Sequence, residues 1–436
     1  MVPVVLKTQT TYQIPSDTFM LPLGWRRFHL SQLINKVLAL PNPVPFDFII
    51  NGEMLSATVG EWCNEKGVGE EETLEIEYVP SALPPEQVAS IPQPDWVSSV
   101  SVKRKGLILA GSYDTHVRVF NESQEVIHSI PGHTGPVSSV CWIGASDGAS
   151  TEGSHLIASS SYDTTARITS LSESTATALA SLHLHSAAVS SVVSNASGTH
   201  LLTAGADKLV GLWSTSIPAD HEVSASQFAT AEPQRKRRKV ATSTSEETID
   251  PAKRKAPASV LKSHTAKVSK ALFTPQDDGK AYSVGWDCAL RSWDLEVGLC
   301  TNTTTSSERV MLDMAISPDS RSAFIACADR HVLLYSLNST PPCFYLETNA
   351  KPILFPHTSA PVAIASHPTS PHHFVTACQD GIVRLWDSRS SQVAIAQFNG
   401  FADPEKKKVV SIDWGMDNLA VTGGEGGLAM SRAAIV

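Results

Sequence analysis

One pattern recurs seven times along this 436-residue chain: an acid in a turn, then a strand, with an aromatic residue six positions after the acid in five of the copies. SYDTHVRVF supplies Asp114 and Phe120, GADKLVGLW Asp207 and Trp213, and GWDCALRSW Asp287 and Trp293. CADRHVLLY supplies Asp329 and Tyr335, and CQDGIVRLW Asp380 and Trp386. SYDTTARIT keeps Asp163 but puts Thr169 in the aromatic position, and GGEGGLAMS has Glu425 and Ser431. Successive acids lie 49, 44, 80, 42, 51 and 45 residues apart, the 80 being one repeat plus an insertion. Self-similarity at such a period dictates an array in which each unit buries its apolar face against its neighbours.

Repeats of roughly 40–45 residues with a Trp-Asp pair mark a WD-repeat β-propeller. Trp293-Asp294 and Trp386-Asp387 hold the dipeptide itself. Seven acids predict seven blades. A second regularity agrees: His264 and His357 each precede their acid by 23 residues, and His185 precedes Asp207 by 22. In repeat two, Gly132-His133 sits further upstream, across a longer SDGASTEGS loop. In such blades a His, a strand Ser or Thr, the turn Asp and the Trp form a buried hydrogen-bonded chain. Ser283 and Thr376, each four residues before the acid, are placed for it. His, Asp and Ser together resemble a catalytic set, but recurrence in several repeats marks a scaffold, because an active site is built once. Only eleven residues follow Glu425, too few for an outer strand, so ring closure needs a strand from elsewhere; residues 88–92 (VASIP) are the candidate.

The first 81 residues form a separate unit. VVLKT (4–8) and FMLPL (19–23) read as paired strands, and LSQLINKVLAL (30–40) as a helix with Leu30, Leu33, Ile34, Val37 and Leu38 on one face and Ser31 at its N-cap. PVPFDFIING (43–52) is a strand ending in an Asn-Gly turn, and TLEIEY closes the set. This order predicts an α+β ubiquitin-like (β-grasp) domain ahead of an all-β, seven-bladed propeller. No diglycine ends it, so it reads as a docking module. Prolines mark residues 82–95 as a linker, and the propeller is expected over 96–436 with a flexible insertion at 215–258.

The net charge of −9 argues against wholesale nucleic-acid coating. Seven scattered cysteines without a CxxC pair suit reduced thiols and not structural zinc. The start, MVPVVLKTQTTYQIP, lacks the apolar core of a signal peptide, and no run of eighteen apolar residues suggests a membrane span. No phosphate loop, metal-ligand cluster or nucleophile elbow is present, so no enzyme activity and no intrinsic cofactor are expected. The insertion holds two basic clusters, Arg235, Lys236, Arg237, Arg238 and Lys239, then Lys253, Arg254 and Lys255, separated by a polar, acidic spacer. They read as a bipartite nuclear-localisation signal, with RNA-backbone contact or a merely solvated loop as alternatives. The acids Glu70, Glu71 and Glu72 just before LEIEY leave two readings open from the residues alone: a solvated turn, or a carboxylate offered to a partner's metal ion.

PVPFDFIING, LEIEYVPSALPP (74–85) and DWVSSV (95–100), joined to seven WD repeats with a basic insertion, resemble the Ytm family of large-subunit ribosome-biogenesis factors. The resemblance covers nearly the whole chain. It implies residence in the nucleolus and nucleoplasm, and a complex with a block-of-proliferation WD-repeat protein, held by the propeller, and a pescadillo-type BRCT protein. It implies work on pre-60S particles and their pre-rRNA. It further implies that midasin, an AAA ATPase, grips the ubiquitin-like domain and removes the complex. Midasin's adhesion site takes a carboxylate on its Mg²⁺, a hard cation that prefers oxygen donors. The family's ligand falls on Glu71, with Glu70 and Glu72 as substitutes. A notchless-type factor, also midasin-released, would need an eighth repeat, and a ubiquitin-ligase substrate receptor would need a cullin adaptor.

Overall fold

The computed structural model describes all residues except 9, 11, 16, 41, 56, 70, 82–84, 145–154, 173–174, 224–251, 306–308, 339–342, 345–352, 402–407 and 433–436. The chain divides into two compact units, Met1–Pro92 with Ser317–Val436, and Gln93–Ile316.

The first unit opens with β1 (Val2–Lys7), β2 (Thr18–Leu21), α1 (Arg27–Leu38), β3 (Phe46–Ile50), β4 (Glu53–Met54), α2 (Val59–Lys66) and β5 (Leu74–Pro80). Their order along the chain is the one expected from the sequence. They build one mixed sheet, β2-β1-β5-β3-β4, in which β5 is central, parallel to β1 and antiparallel to β3. The alternation in LEIEY is real: Leu74, Ile76 and Tyr78 are buried while Glu75 is exposed. They meet Phe46 and Phe48 of β3, Leu30 and Ile34 of α1, and Val59 and Trp62 of α2 in one core. Each such side chain removed from water contributes roughly 1.5–3 kcal/mol. Tyr78 keeps its polar end satisfied: its Oη donates to the Tyr12 carbonyl at 2.5 Å and accepts from the Ile14 amide at 3.1 Å. Asn51 and Gly52 both have positive φ, 50° and 81°, as the tight hairpin between β3 and β4 demands.

Ser31 is not the N-cap. The helix starts four residues earlier, with Arg26 at the cap and its amide donating to His29 Nδ1 at 3.3 Å. Ser31 instead fastens α1 to β3, its Oγ accepting from the Phe46 amide at 3.1 Å. Val37, expected on the apolar face, is 43% exposed.

The WD repeats follow as sheets with an antiparallel four-stranded core, to which repeats two and five each add a fifth strand. The second unit holds repeats one to four, and repeat one runs through Val97–Arg104, Leu107–Ser112, Val117–Asn121 and Val126–Ile130. Repeat three takes its outer strand, Ser259–Lys262, from beyond the insertion. The first unit holds the sheets of repeats six and seven, and the strands of repeat five from Ser322–Cys327 onward. The recurring acid has a local cause. The residue after it adopts a positive φ in six repeats: Thr115, Thr164, Lys208, Cys288, Arg330 and Gly381. The acid's carboxylate then accepts the amide two residues on, as in Asp163 from Thr165 at 3.0 Å and Asp207 from Leu209 at 3.2 Å. A short acidic side chain closes that turn where a longer or apolar one leaves the amide open.

Two expected boundaries are corrected. The supposed linker contains β6 (Glu86–Ile91), which pairs antiparallel with Gly427–Arg432 and supplies repeat seven with its fourth strand. The supposed flexible insertion is part of the sheets at its far end: Lys253–Lys255 is a strand parallel to Ala176–His183 of repeat two. Residues 224–251 lie outside the described residues.

Candidate functional site

Glu71 and Glu72 stand exposed on the turn between α2 and β5; Glu70 lies outside the described residues. The turn is short and held at both ends. α2 stops at Gly67, whose φ of 69° lets its amide reach the Cys63 carbonyl, and the Val68 amide adds a 3.0 Å bond to that same carbonyl. The Glu72 amide closes on the Gly69 carbonyl at 3.2 Å, and Leu74 then enters the central strand. Glu71 is therefore an exposed carboxylate on a turn whose base is the most hydrogen-bonded strand of the domain. Among the described residues no three His, Cys, Asp or Glu side chains gather as a metal-binding group.

The buried polar sets run as continuous chains. In repeat three, His185 Nδ1 lies 3.0 Å from Asp207, His185 Nε2 2.8 Å from Thr203 Oγ1, and Trp213 Nε1 donates to that hydroxyl at 2.9 Å. Repeat four repeats this with His264, Asp287, Ser283 and Trp293 at 2.9, 2.7 and 2.8 Å. The carboxylate only accepts, so Nδ1 carries the proton, Nε2 accepts the hydroxyl O–H, and the hydroxyl oxygen accepts the indole N–H. Burial pushes His264 down despite the opposing pull of Asp287. Burial alone would raise Asp207 and Asp287; their bonds to the histidines and to backbone amides hold both carboxyls below the ordinary range. Each hydroxyl is locked between indole and imidazole and sealed from solvent, an arrangement that holds strands and leaves no nucleophile free.

Repeat six departs from the expected chain. His357 Nε2 meets Thr376 Oγ1 at 2.8 Å and Trp386 Nε1 donates to it at 3.2 Å, but His357 Nδ1 turns to the Phe355 carbonyl at 2.9 Å. Asp380 is instead bonded by Thr358 Oγ1 at 2.9 Å. Thr203 and the pair His133–Ser159 of repeat two also belong to these chains; Thr203 holds the same offset before its acid as Ser283 and Thr376, and that offset marks it in the sequence.

The basic clusters separate. Arg235, Lys236, Arg237, Arg238 and Lys239 lie outside the described residues. Lys253, Arg254 and Lys255 are in the added strand, and Lys255 is buried with its Nζ on the Ser216 carbonyl. Burial lowers its pKa. Hence the second cluster is a paired strand and not a free loop.

One long-range contact left no mark in the sequence. Arg389, just past the Trp386-Asp387 pair, bonds Asp387 at 2.6 Å and reaches back to Glu77 of β5 at 2.9 Å. Within the first unit it ties the N-terminal sheet to repeat six.

Residues 2–63 match the family described as NLE (NUC135) domain, and residues 124–170, 176–214 and 350–387 match the WD domain, G-beta repeat. A protein of Laccaria bicolor named ribosome biogenesis protein YTM1 is 45% identical over 434 residues, 98% of this chain and 94% of that protein. Its namesake in Coprinopsis cinerea is 43% identical over 99% of this chain and 95% of its own length. In Aspergillus terreus a protein of the same name is 32% identical over 88% of this chain and 81% of its own. With an NLE domain, WD repeats and this near-full-length identity, the chain belongs to the ribosome biogenesis protein YTM1 family.

Proposed function

We propose that the chain is a non-enzymatic assembly factor of the large ribosomal subunit whose N-terminal, ubiquitin-like domain is the part a midasin-type AAA ATPase grips. Its WD repeats hold a block-of-proliferation WD-repeat protein, joined by a pescadillo-type BRCT protein, on pre-60S particles in the nucleolus and nucleoplasm. The relatives' names support the ribosomal setting. The observation that carries the gripping role is Glu71, an exposed carboxylate on a turn braced by α2 and β5.

At midasin's adhesion site, Mg²⁺ is the partner's ion, and this chain contributes one oxygen ligand. Octahedral Mg²⁺ at about 2.0–2.1 Å tolerates little misplacement, which gives a braced turn an advantage over a loose one. β5 leads within a few residues to β6, which is paired along its length with Gly427–Arg432, while Arg389 links Glu77 to repeat six. A pull on the Glu71 turn thus loads the repeats through a strand pair in shear and an ion pair, and the repeats carry the rest of the complex with them.

Glu71→Asp shortens the reach by one methylene without touching the core. Cells expressing it should retain the factor on pre-60S particles in sucrose gradients, whereas Glu72→Asp should release normally. Normal release with Glu71→Asp would remove Glu71 from the reading.

A further inference from the structure

In three repeats of the second unit the residue just before the turn acid is aromatic: Tyr113, Tyr162 and Trp286. One backbone bond places all three. Their amides donate to the carbonyls of Trp96 at 3.0 Å, Pro136 at 3.0 Å and Lys267 at 2.9 Å, each at the head of its repeat's first strand. Repeat three makes the same bond from Ala206 to Ala188 at 2.9 Å, so the turn itself does not need a ring. Nor does the core, because Tyr162 and Trp286 are 49% and 52% exposed. Repeat four gives its ring a cation from within the fold: Lys267 Nζ lies over the Trp286 indole, 5.4 Å from the centroid.

Repeats one and two have no such lysine. The position of Lys267 belongs there to Trp96 and Pro136, and among the described residues no lysine or arginine lies over either tyrosine. The rings gather instead. Trp96 stacks on Tyr113 with centroids 6.5 Å apart and planes at 20°, and Tyr162 stands across Tyr113 at 6.5 Å and 72°. An acid joins this corner. Asp95 is exposed, and its one bond among the described residues is to the Trp96 amide at 2.8 Å. Burial raises the pKa of Tyr113, and Tyr162 and Asp95 raise it further, so the Asp95 carboxylate lies within electrostatic reach of the ring pair. The neighbouring turn acids already have partners: Asp114 pairs with Arg118 at 2.5 Å and Asp163 with His133 at 2.9 Å.

We propose that Tyr113, Tyr162 and Asp95 receive an arginine side chain from a partner protein, the role that Lys267 fills for Trp286 from within the chain. Ring faces and carboxylate all present negative potential, so one cation satisfies the three together. The guanidinium is flat and weakly hydrated; it stacks on a tyrosine face while its N–H fork reaches the carboxylate. A partner's lysine ammonium would shed more water for the same ring contact. The site is defined by this chemistry, whichever protein supplies the arginine.

Ligand-observed NMR on the full chain tests this with the end-blocked peptide Gly-Gly-Arg-Gly-Gly and with counterparts carrying citrulline or lysine in place of arginine. The arginine peptide should bind saturably. Citrulline keeps the shape and loses the charge, and should bind roughly tenfold more weakly; lysine should bind about threefold more weakly. Tyr162→Phe keeps the ring and should bind as wild type. Tyr162→Leu should weaken binding about fivefold and Asp95→Asn about threefold. Trp286→Leu, in repeat four, should leave binding unchanged. No saturable binding, equal binding of the citrulline peptide, binding unaltered by Tyr162→Leu or Asp95→Asn, or a loss with Trp286→Leu as large as with Tyr162→Leu would each overturn the proposal. The peptide comparison needs no variant, so a misfolded Tyr162→Leu does not blunt it.

Discussion

Thr203→Val in repeat three deletes one oxygen and keeps the side chain's shape. That oxygen accepts the Trp213 Nε1–H at 2.9 Å and donates to His185 Nε2 at 2.8 Å. Thr203 and Trp213 are fully buried and His185 is 5% exposed, so water cannot replace either bond. Each stranded group costs about 1–3 kcal/mol, for a total of roughly 2–6 kcal/mol. Ser159→Ala in repeat two is the internal control. Ser159 Oγ has only the His133 bond among the described residues, so one group is stranded, at about 1–3 kcal/mol. A repeat array of this size has no single unfolding free energy. Native-state hydrogen exchange reads the loss where it occurs, on the amides of Leu209–Ser214 and of Thr165–Leu171. Since about 1.4 kcal/mol is tenfold in an equilibrium constant, protection should fall roughly tenfold more in repeat three than in repeat two. Equal losses in the two repeats, or no loss in repeat three, would refute the reasoning that the indole–hydroxyl–imidazole chain locks a repeat.

Acidification should destabilise the first unit. Burial lowers His357 from 6.5 to about 4, so the unfolded chain binds a proton that the folded one refuses; the stability is complete above pH 6.5 and is lost as pH falls toward 4, and His357→Gln should flatten this slope in thermal melts at pH 7.0, 6.0 and 5.0. Arg389→Ala should cost about 3–5 kcal/mol of local stability, read by native-state hydrogen exchange on the amides of Ile382–Asp387, because Asp387 is 1% exposed and loses its counter-charge, whereas Glu77→Gln should cost under about 1 kcal/mol there. A fluorescent fusion should lose nuclear accumulation when Arg235, Lys236, Arg237, Arg238 and Lys239 become alanine, and keep it when Lys253 and Arg254 do; equal loss would restore the bipartite reading.

The repeats were legible because each is written by local chemistry. A turn acid closes the bend, and in repeats three, four and six a tryptophan six positions on meets a hydroxyl across the strand pair, so both leave fixed offsets in the chain. The alternation of LEIEY likewise announced a central strand with one buried face. Ser31 misled because an N-cap and a helix residue that fastens a neighbouring strand look alike in sequence; only the position of Phe46 tells them apart. Lys253–Lys255 misled because charge suggests solvation, while the Ser216 carbonyl that receives Lys255 lies 39 residues away. β6 was legible from a need, since repeat seven lacked a strand, and the candidate segment 88–92 overlaps the strand that fills it, Glu86–Ile91. Arg389 and Glu77 are 312 residues apart and share no motif, so their ion pair could be found only in three dimensions. The Glu71 turn was visible as three acids in a row, but nothing in the residues themselves chose between solvation and ligation.

The most direct measurement is a pull-down from cell extract with tagged wild type and Glu71→Ala, each in Mg²⁺ and in EDTA, probed for midasin and for the block-of-proliferation partner. Loss of midasin with the mutation and with EDTA, while the propeller partner stays bound, is the expected result. Midasin binding equally in all four samples would contradict it and reduce the acidic turn to a solvated loop.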